Sequence, residues 1–437
     1  MCISPNEEEA SHRKAVIDRL TAKYRKALEK ELRISGVTYD DIEEMAQKIG
    51  EDTKRSIEDE SIQSQGCGYE GTRVTCPGCQ AIGRYRGRRA RHVISLSGFH
   101  RIERSYYYCG LCHRGWCPLD RDLDLPISSE ATRRVRALSA RFSSYLPYRL
   151  AAQELSEVCG VELSATALQG YAKVIGEQVE REWARQTHLA SERKVRPSCE
   201  YPDKLQMSMD GVMIFVDNDW REAKVGAAYP LNADAEAQTK QARYYATLER
   251  SSIFGKRMQV LAHQAGSDHC CKLGVVGDGA DWIWIESGKY WPRSVQSLDF
   301  RHLGEHLWKV AKLRFGEGSA AASEWIEQQE AYLMEDKAES VLASVQSWRP
   351  RKPEKIEERR KLIAYMLEHK KRIRYKSIKE AGYQIGSGVI EAANKTVVQA
   401  RMKGAGMRWS FKGAQVMLHL CAARHSKGFE NFIPYAI

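Results

Sequence analysis

The sequence predicts a multidomain α+β protein, and three observations predict it. Two C-x-x-C pairs, Cys76/Cys79 and Cys109/Cys112, bracket a stretch with strand alternation. An apolar run from Leu205 opens strands and helices in the order β-β-β-α-β-α-β. Helical periodicity alone fills residues 303–380. A chain of 437 residues exceeds one ordinary domain. The patterns delimit a helical region 1–65, a metal-knuckle domain 66–127, a helical domain 128–183, a linker 184–204, a first core part 205–302, an all-helical insertion 303–380 and returning core helices 381–437.

Composition narrows the partner. Lys and Arg number 68 against 57 acids, a net charge of +11, and the isoelectric point is near 9.0. An excess of this sign favours a polyanion, so nucleic acid is the expected partner. No run of roughly 18 apolar residues occurs and the charged stretch after Glu7 is unlike a secretion signal, so no membrane is expected and a cytoplasmic location is. Twelve cysteines in such a chain point to metal ligation and incidental thiols.

In the first region Leu20, Tyr24, Leu28, Leu32, Ile42, Met45 and Ile49 are spaced for amphipathic helices. The two knuckles further along can place four thiolates on one metal, a closed tetrahedral zinc site with a structural role. The spacing between them exceeds the usual insert, and Cys67 and Cys117 stand close enough to replace a ligand. Between the knuckles Arg84, Arg86, Arg88 and Arg89, beside Tyr85 and Tyr106–Tyr108, suit phosphate and base-stacking contacts in a zinc-ribbon layout. Beyond them, Leu150–Tyr171 reads as a helix ending at Gly160, an inward Val161, and a second helix capped by Ser164. This is a helix-turn-helix candidate, with Thr166, Gln169 and Lys173 facing DNA; the alternative is an ordinary helical hairpin.

The core strands are read at Leu205–Val216, Arg221–Tyr229, Tyr244–Leu248, Leu273–Asp278 and Val295–His302, with a helix over 251–264. This is the order of an RNase H-like fold. It puts Asp210, midway along the first strand, and Asp278, at the end of the fourth, on neighbouring positions. Within the insertion, Lys370, Lys371, Arg372, Arg374 and Lys376 form a basic run suited to clamping phosphate or simply a solvated face, while Trp325 and Trp348 read as core residues, with stacking on a distorted base the alternative. The glycines around Ser387 precede a helix whose first turn carries Glu391, with Asn394, Lys395 and Arg401 nearby. One carboxylate on such a helix suits a metal ligand beside a phosphate, with Lys395 and Arg401 as nucleic-acid contacts. Taken alone, it is better read as complementing the helix N-terminus.

Taken together, Met209-Asp-Gly-Val, Trp220-Arg-Glu-Ala-Lys-Val-Gly, Gly277-Asp-Gly-Ala-Asp-Trp-Ile-Trp, Leu298-Asp-Phe-Arg-His302, Ile385-Gly-Ser-Gly-Val-Ile-Glu-Ala-Ala and Gly406-Met-Arg-Trp-Ser resemble bacterial insertion-sequence transposases of the ISKra4 type, in the DDE group similar to Mutator and hAT elements. The resemblance spans most of residues 65–425. It implies that Asp210, Asp278 and Glu391 are the catalytic triad holding two Mg²⁺ or Mn²⁺ ions, and that Asp299 and His302 form the D-x-x-H motif after the second Asp. It also implies a zinc-binding N-terminal region and double-stranded DNA partners, namely the element's terminal inverted repeats and its target. A homo-oligomer at the nucleoid follows from pairing two ends. His302 would orient a phosphate or water, or serve as a structural histidine beside Asp299. Asp217, Asp219, Asp281 and Glu222 read as turn and surface residues. Two other readings use the same residues: a nuclease of the same fold without strand transfer, and a non-catalytic zinc-ribbon regulator.

Overall fold

The computed structural model describes residues 5–32, 35–126, 129–192, 200–270 and 273–428. They fall into two compact units. One runs to Phe142 and includes Tyr148–Tyr171, and the other takes Ser143–Pro147 and the chain from Ala172 onward.

The first unit opens with two long helices, α1 (Pro5–Glu31) and α2 (Tyr39–Ser64). Thr38 caps α2 and the Asp41 carboxylate reaches back to it, a reciprocal box that satisfies two orphan donors. A four-stranded antiparallel sheet comes next in the order β1-β2-β3-β4, from β1 (Arg73–Thr75), β2 (Ile82–Ser95), β3 (Gly98–Tyr108) and β4 (Gly115–Trp116). Alternation along the β2–β3 pair turns Val93 and Ile102 inward onto Leu119 of α3 (Pro118–Asp122). Gly87, at φ +104°, takes the irregularity between Tyr85 and Arg88 where the register shifts. Three helices complete this part of the chain: α4 (Arg133–Tyr145), α5 (Tyr148–Cys159) and α6 (Ala165–Ser191). Gly160 ends α5 at φ +64° and the Ser164 hydroxyl accepts from Ala167 N–H. Val161 is buried against Ala131 and Val135.

The second unit is built on a five-stranded sheet of order β7-β6-β5-β8-β9. Its strands are β5 (Lys204–Val216), β6 (Asp219–Leu231), β7 (Arg243–Thr247), β8 (Leu273–Gly277) and β9 (Val295–Leu298). The first three pair antiparallel, whereas β8 is parallel to β5 and β9 to β8. Strand β8 is apolar or glycine throughout and buried at every position, as a strand covered on both faces must be. Between β7 and β8 runs α7 (Ser251–Gln264), and between β8 and β9 runs α8 (Asp281–Tyr290). Gly226 of β6 admits α7 closely, since a Cβ there would lie 2.4 Å from the Met258 sulfur. The fifth strand is shorter than the sequence pattern suggests. It stops at Leu298, and Asp299 caps α9 (Phe300–Phe315) by accepting from the His302 N–H at 2.7 Å.

Four more helices continue the insertion: α10 (Ala320–Leu333), α11 (Ala338–Ser347), α12 (Pro353–Glu368) and α13 (Tyr375–Glu380). Trp325 is buried among them and donates its indole N–H to Ser344 Oγ at 2.9 Å, a core role; Trp348 is half-buried in the link to α12. The chain then returns through α14 (Gly388–Ala393), a widened π-helical turn over Asn394–Gln399, the short α15 (Ala400–Met402) and α16 (Phe411–His425). No described helix is long and apolar enough to cross a membrane.

Candidate active site and metal centre

The parallel register of β5 and β8 pairs Met209 with Gly277, so the residues that follow, Asp210 in β5 and Asp278 just past the end of β8, come side by side. The two carboxyls sit near enough for each other's charge to be felt. Asp210 accepts from its neighbour Gly211 N–H at 2.7 Å and from Asn394 Nδ2 at 2.5 Å. Burial first, and the Asp278 charge second, push the Asp210 carboxyl up to about 6, even though both N–H donors work the other way. Asp278 Oδ1 accepts from Ala280 N–H, fixing the turn beyond β8.

Asn394 lies three residues after Glu391 and therefore on the same helical face. Its amide docks that face on Asp210, while its own Oδ1 is buried without a hydrogen-bond partner. Glu391 is half-exposed; its carboxylate is 3.4 Å from the Ser387 hydroxyl and 3.6 Å from Arg301. Asp210, Asp278 and Glu391 do not all bring oxygens within 4.8 Å of one another, and among the described residues only the four cysteines form such a group.

Asp299 ties this region together. Its buried carboxylate caps α9 through one oxygen and accepts from Ser387 N–H at 2.5 Å through the other. It therefore grips the start of α9 and the turn that launches Glu391, using backbone rather than the His302 ring. That ring lies 3.8 Å from Glu305 and edge-on to His306, with ring centroids 5.2 Å apart. Tyr365 of α12 donates to the Asp278 carbonyl at 2.8 Å, and its ring leans on His306 and His369. Burial lowers both of those histidines, His369 to about 4, so His306 and His369 are neutral at pH 7. Gly279 gives Tyr365 its approach: at φ +104°, a Cβ would sit 2.3 Å from the tyrosine hydroxyl.

In the other unit, Cys76, Cys79, Cys109 and Cys112 place all four sulfurs within 4.8 Å of one another. The Cys76–Cys112 and Cys79–Cys109 pairs are each 3.6 Å apart. Backbone N–H groups of the knuckle turns lower the first thiol of each pair, Cys76 to about 7 by Cys79 and Gly78, and Cys109 by Cys112 and Leu111. The crowding of sulfurs drives Cys112 up to about 12, a repulsion that a dication relieves. Four thiolates without an oxygen donor suit Zn²⁺ and close its coordination shell. Cys67, which accepts from the Ser105 hydroxyl, and Cys117, which precedes α3, lie outside this group.

The cationic candidates divide. Arg84, Arg86, Arg88 and Arg89 are exposed along β2, with Arg89 stacked 3.5 Å over the Tyr106 ring. Gln169 and Lys173 are exposed on α6 with Thr166, and Lys371, Arg374 and Lys395 are exposed as well. Arg372 and Arg401 depart from the expected phosphate-binding role. Arg372 is half-buried, donating to Gln296 at 2.8 Å and lying over the Trp284 ring. Arg401 is only 2% exposed; its guanidinium donates to the Ser143 carbonyl and lies over Trp409. Both cations are spent on internal packing, where charge and stem are covered together. Sequence reading missed Asn394 as the partner of Asp210, although its spacing from Glu391 carried that signal, and missed Tyr365, for which no local pattern exists.

No curated protein matches the chain. A family model does, over residues 84–431, a span that holds Asp210, Asp278, Asp299 and Glu391 together with Cys109 and Cys112, while Cys76 and Cys79 precede it. The chain belongs to the uncharacterised protein family UPF0236.

Proposed function

We propose that the chain is a DNA transposase that cuts at the ends of an insertion sequence and joins them to target DNA at a site made by Asp210, Asp278 and Glu391. The family to which it belongs is associated with transposase-like proteins. The observation that carries the reading is the Asp210–Asp278 pair, two carboxylates forced together across adjacent parallel strands at the cost of a raised proton affinity. Such a pair is poor packing and a good cation site. The strand order β7-β6-β5-β8-β9, with β8 and β9 parallel to β5, supports an RNase H-like arrangement, and α14 brings Glu391 to the side of the sheet that Asn394 touches.

Two Mg²⁺ ions at such carboxylates would activate the attacking oxygen and neutralise the leaving one. The chain's own residues set the stage. Asn394 orients Asp210 and favours its ionised form. The Tyr365 hydroxyl holds the Asp278 carbonyl and the Ala280 N–H holds its carboxylate. Glu391 is held by two long contacts, 3.4 and 3.6 Å, which cost little to exchange for a cation. Arg301, three-quarters exposed beside it, is placed for a DNA phosphate. The cysteine cluster serves as a structural zinc ribbon presenting the β2 arginines, and α5–α6 as a helix-turn-helix. Labelled DNA carrying the repeats that flank the gene, incubated with protein and Mg²⁺, tests the reading: cleavage followed by joining is expected. Cleavage without joining makes the protein a nuclease of the same fold, and binding without cleavage makes it a regulator.

A further inference from the structure

The α1–α2 pair buries almost nothing of its own. Among the described side chains of α1, residues 10–31, none is buried, and on α2 only Ile49 and Glu60 are. Glu60 is there to hold Arg19 at 2.8 Å and Lys23 at 3.0 Å, so a charge cluster occupies a position where a helical hairpin ordinarily places a leucine. Helices of 27 and 26 residues with so little buried apolar surface gain little stability from each other in water. Ile62 packs on the Val93, Ile102 and Leu119 cluster, but other apolar residues of the pair face outward. Ile17 is 54% exposed, Tyr24 46% and Ile57 45%. Tyr24 and Ile57, with Leu20, Ala27 and Thr53, line a groove of about 260 Å³ between the two helices.

We infer that this groove is the seat of a second copy of the chain, packed through its own α1–α2 pair as a twofold four-helix bundle. Charge selects that occupant. Beyond the glutamates of its first turn, α1 carries seven Lys and Arg against three Asp and Glu over residues 10–31, whereas α2 carries three against nine. A twofold axis lays the basic helix of one copy on the acidic helix of the other, twice over, which makes the surface complementary to itself. Lys23, which also holds Glu60 within the chain, and Asp52 both line the groove and carry opposite signs, so in the twofold pair each would face the other's counterpart. The size fits too: a helix pair about 40 Å long and about 20 Å wide presents roughly 800 Å² per copy, enough for a stable dimer. Such association is independent of the catalytic reading, since the pair would form whatever the carboxylates do.

Sedimentation velocity of the full-length chain at micromolar concentration tests it. The expected species has twice the 49.7 kDa chain mass. Tyr24→Asp with Ile57→Asp should weaken the dimer at least about tenfold, and Tyr24→Phe with Ile57→Leu should not. Asp52→Lys should weaken it as well, and adding Lys23→Glu to that variant should restore it, a recovery that misfolding cannot imitate. A wild-type chain that stays monomeric, with the groove taken by another segment or by nothing, overturns the inference. So does a dimer indifferent to both the apolar and the charge variants.

Discussion

Asp210 is half-buried mid-strand, with Asp278 beside it and Asn394 as its side-chain donor. Its carboxyl is raised from the ordinary 3.8 to about 6, so between those values the folded chain holds a proton that the unfolded chain has released. The associated stability is fully present below the lower value and is lost as pH rises through the upper one. In buffer free of added divalent ions, Asp210→Asn should therefore raise the unfolding free energy at pH 7.5, by about 1–3 kcal/mol in urea titration, and flatten the decline from pH 4 to 7. A variant no more stable than wild type at pH 7.5 contradicts the crowded pair. Gly279 is the second sensitive position at this scale. Gly279→Ala strains a φ of +104° and drives a Cβ into the Tyr365 hydroxyl, so a loss of about 2–4 kcal/mol is expected in thermal or urea unfolding. A loss within about 0.5 kcal/mol would mean that α12 does not press on the turn.

Among the elements, those with strong local signals are legible in the sequence. The helix predicted over 251–264 is α7 residue for residue, and Gly160, Val161 and Ser164 mark the α5–α6 turn as their types require. The cysteine knuckles are equally plain, because two turns of that spacing bring four sulfurs together. Other features are hidden for physical reasons. The strand pattern at 295–302 reads straight through the start of α9, since the Asp299 cap acts through backbone N–H groups that any sequence supplies. The π-helical turn at Asn394–Gln399 leaves the apolar spacing nearly unchanged while rotating the helix beyond it. Zinc is tested at this scale as well. Purified protein should carry one Zn²⁺ per chain by elemental analysis, and Cys109→Ser should lose it along with the β1–β4 sheet, seen as rapid proteolysis of the first unit. A metal-free wild type, or a variant as resistant as wild type, contradicts that role.

At the level of the whole molecule, the described residues form two compact units. A net charge of +11 raises the expectation of a polyanionic partner but does not say which cations would meet it. Arg372 and Arg401 look like phosphate ligands in one dimension and turn out to be cross-braces, because only the tertiary fold shows which cations are covered. The converse holds for the carboxylates. Strand order alone places Asp210 beside Asp278, and the structure supplies Asn394, 184 residues away in sequence, as the contact that carries α14 to them. Glu391 remains the least constrained of the three, held only by long contacts to Ser387 and Arg301.

At the centre of the proposed function, three carboxylates from distant parts of the chain act as one metal-dependent site. The most direct test compares the wild-type chain with Asp210→Asn and Glu391→Gln in Mg²⁺-dependent cleavage and joining of DNA bearing the flanking repeats, with binding measured on the same DNA. Loss of at least about 10³-fold in activity in each variant, with binding within about threefold of wild type, is the predicted result. Full activity in Glu391→Gln would detach α14 from the chemistry, and full activity in both would contradict the site altogether.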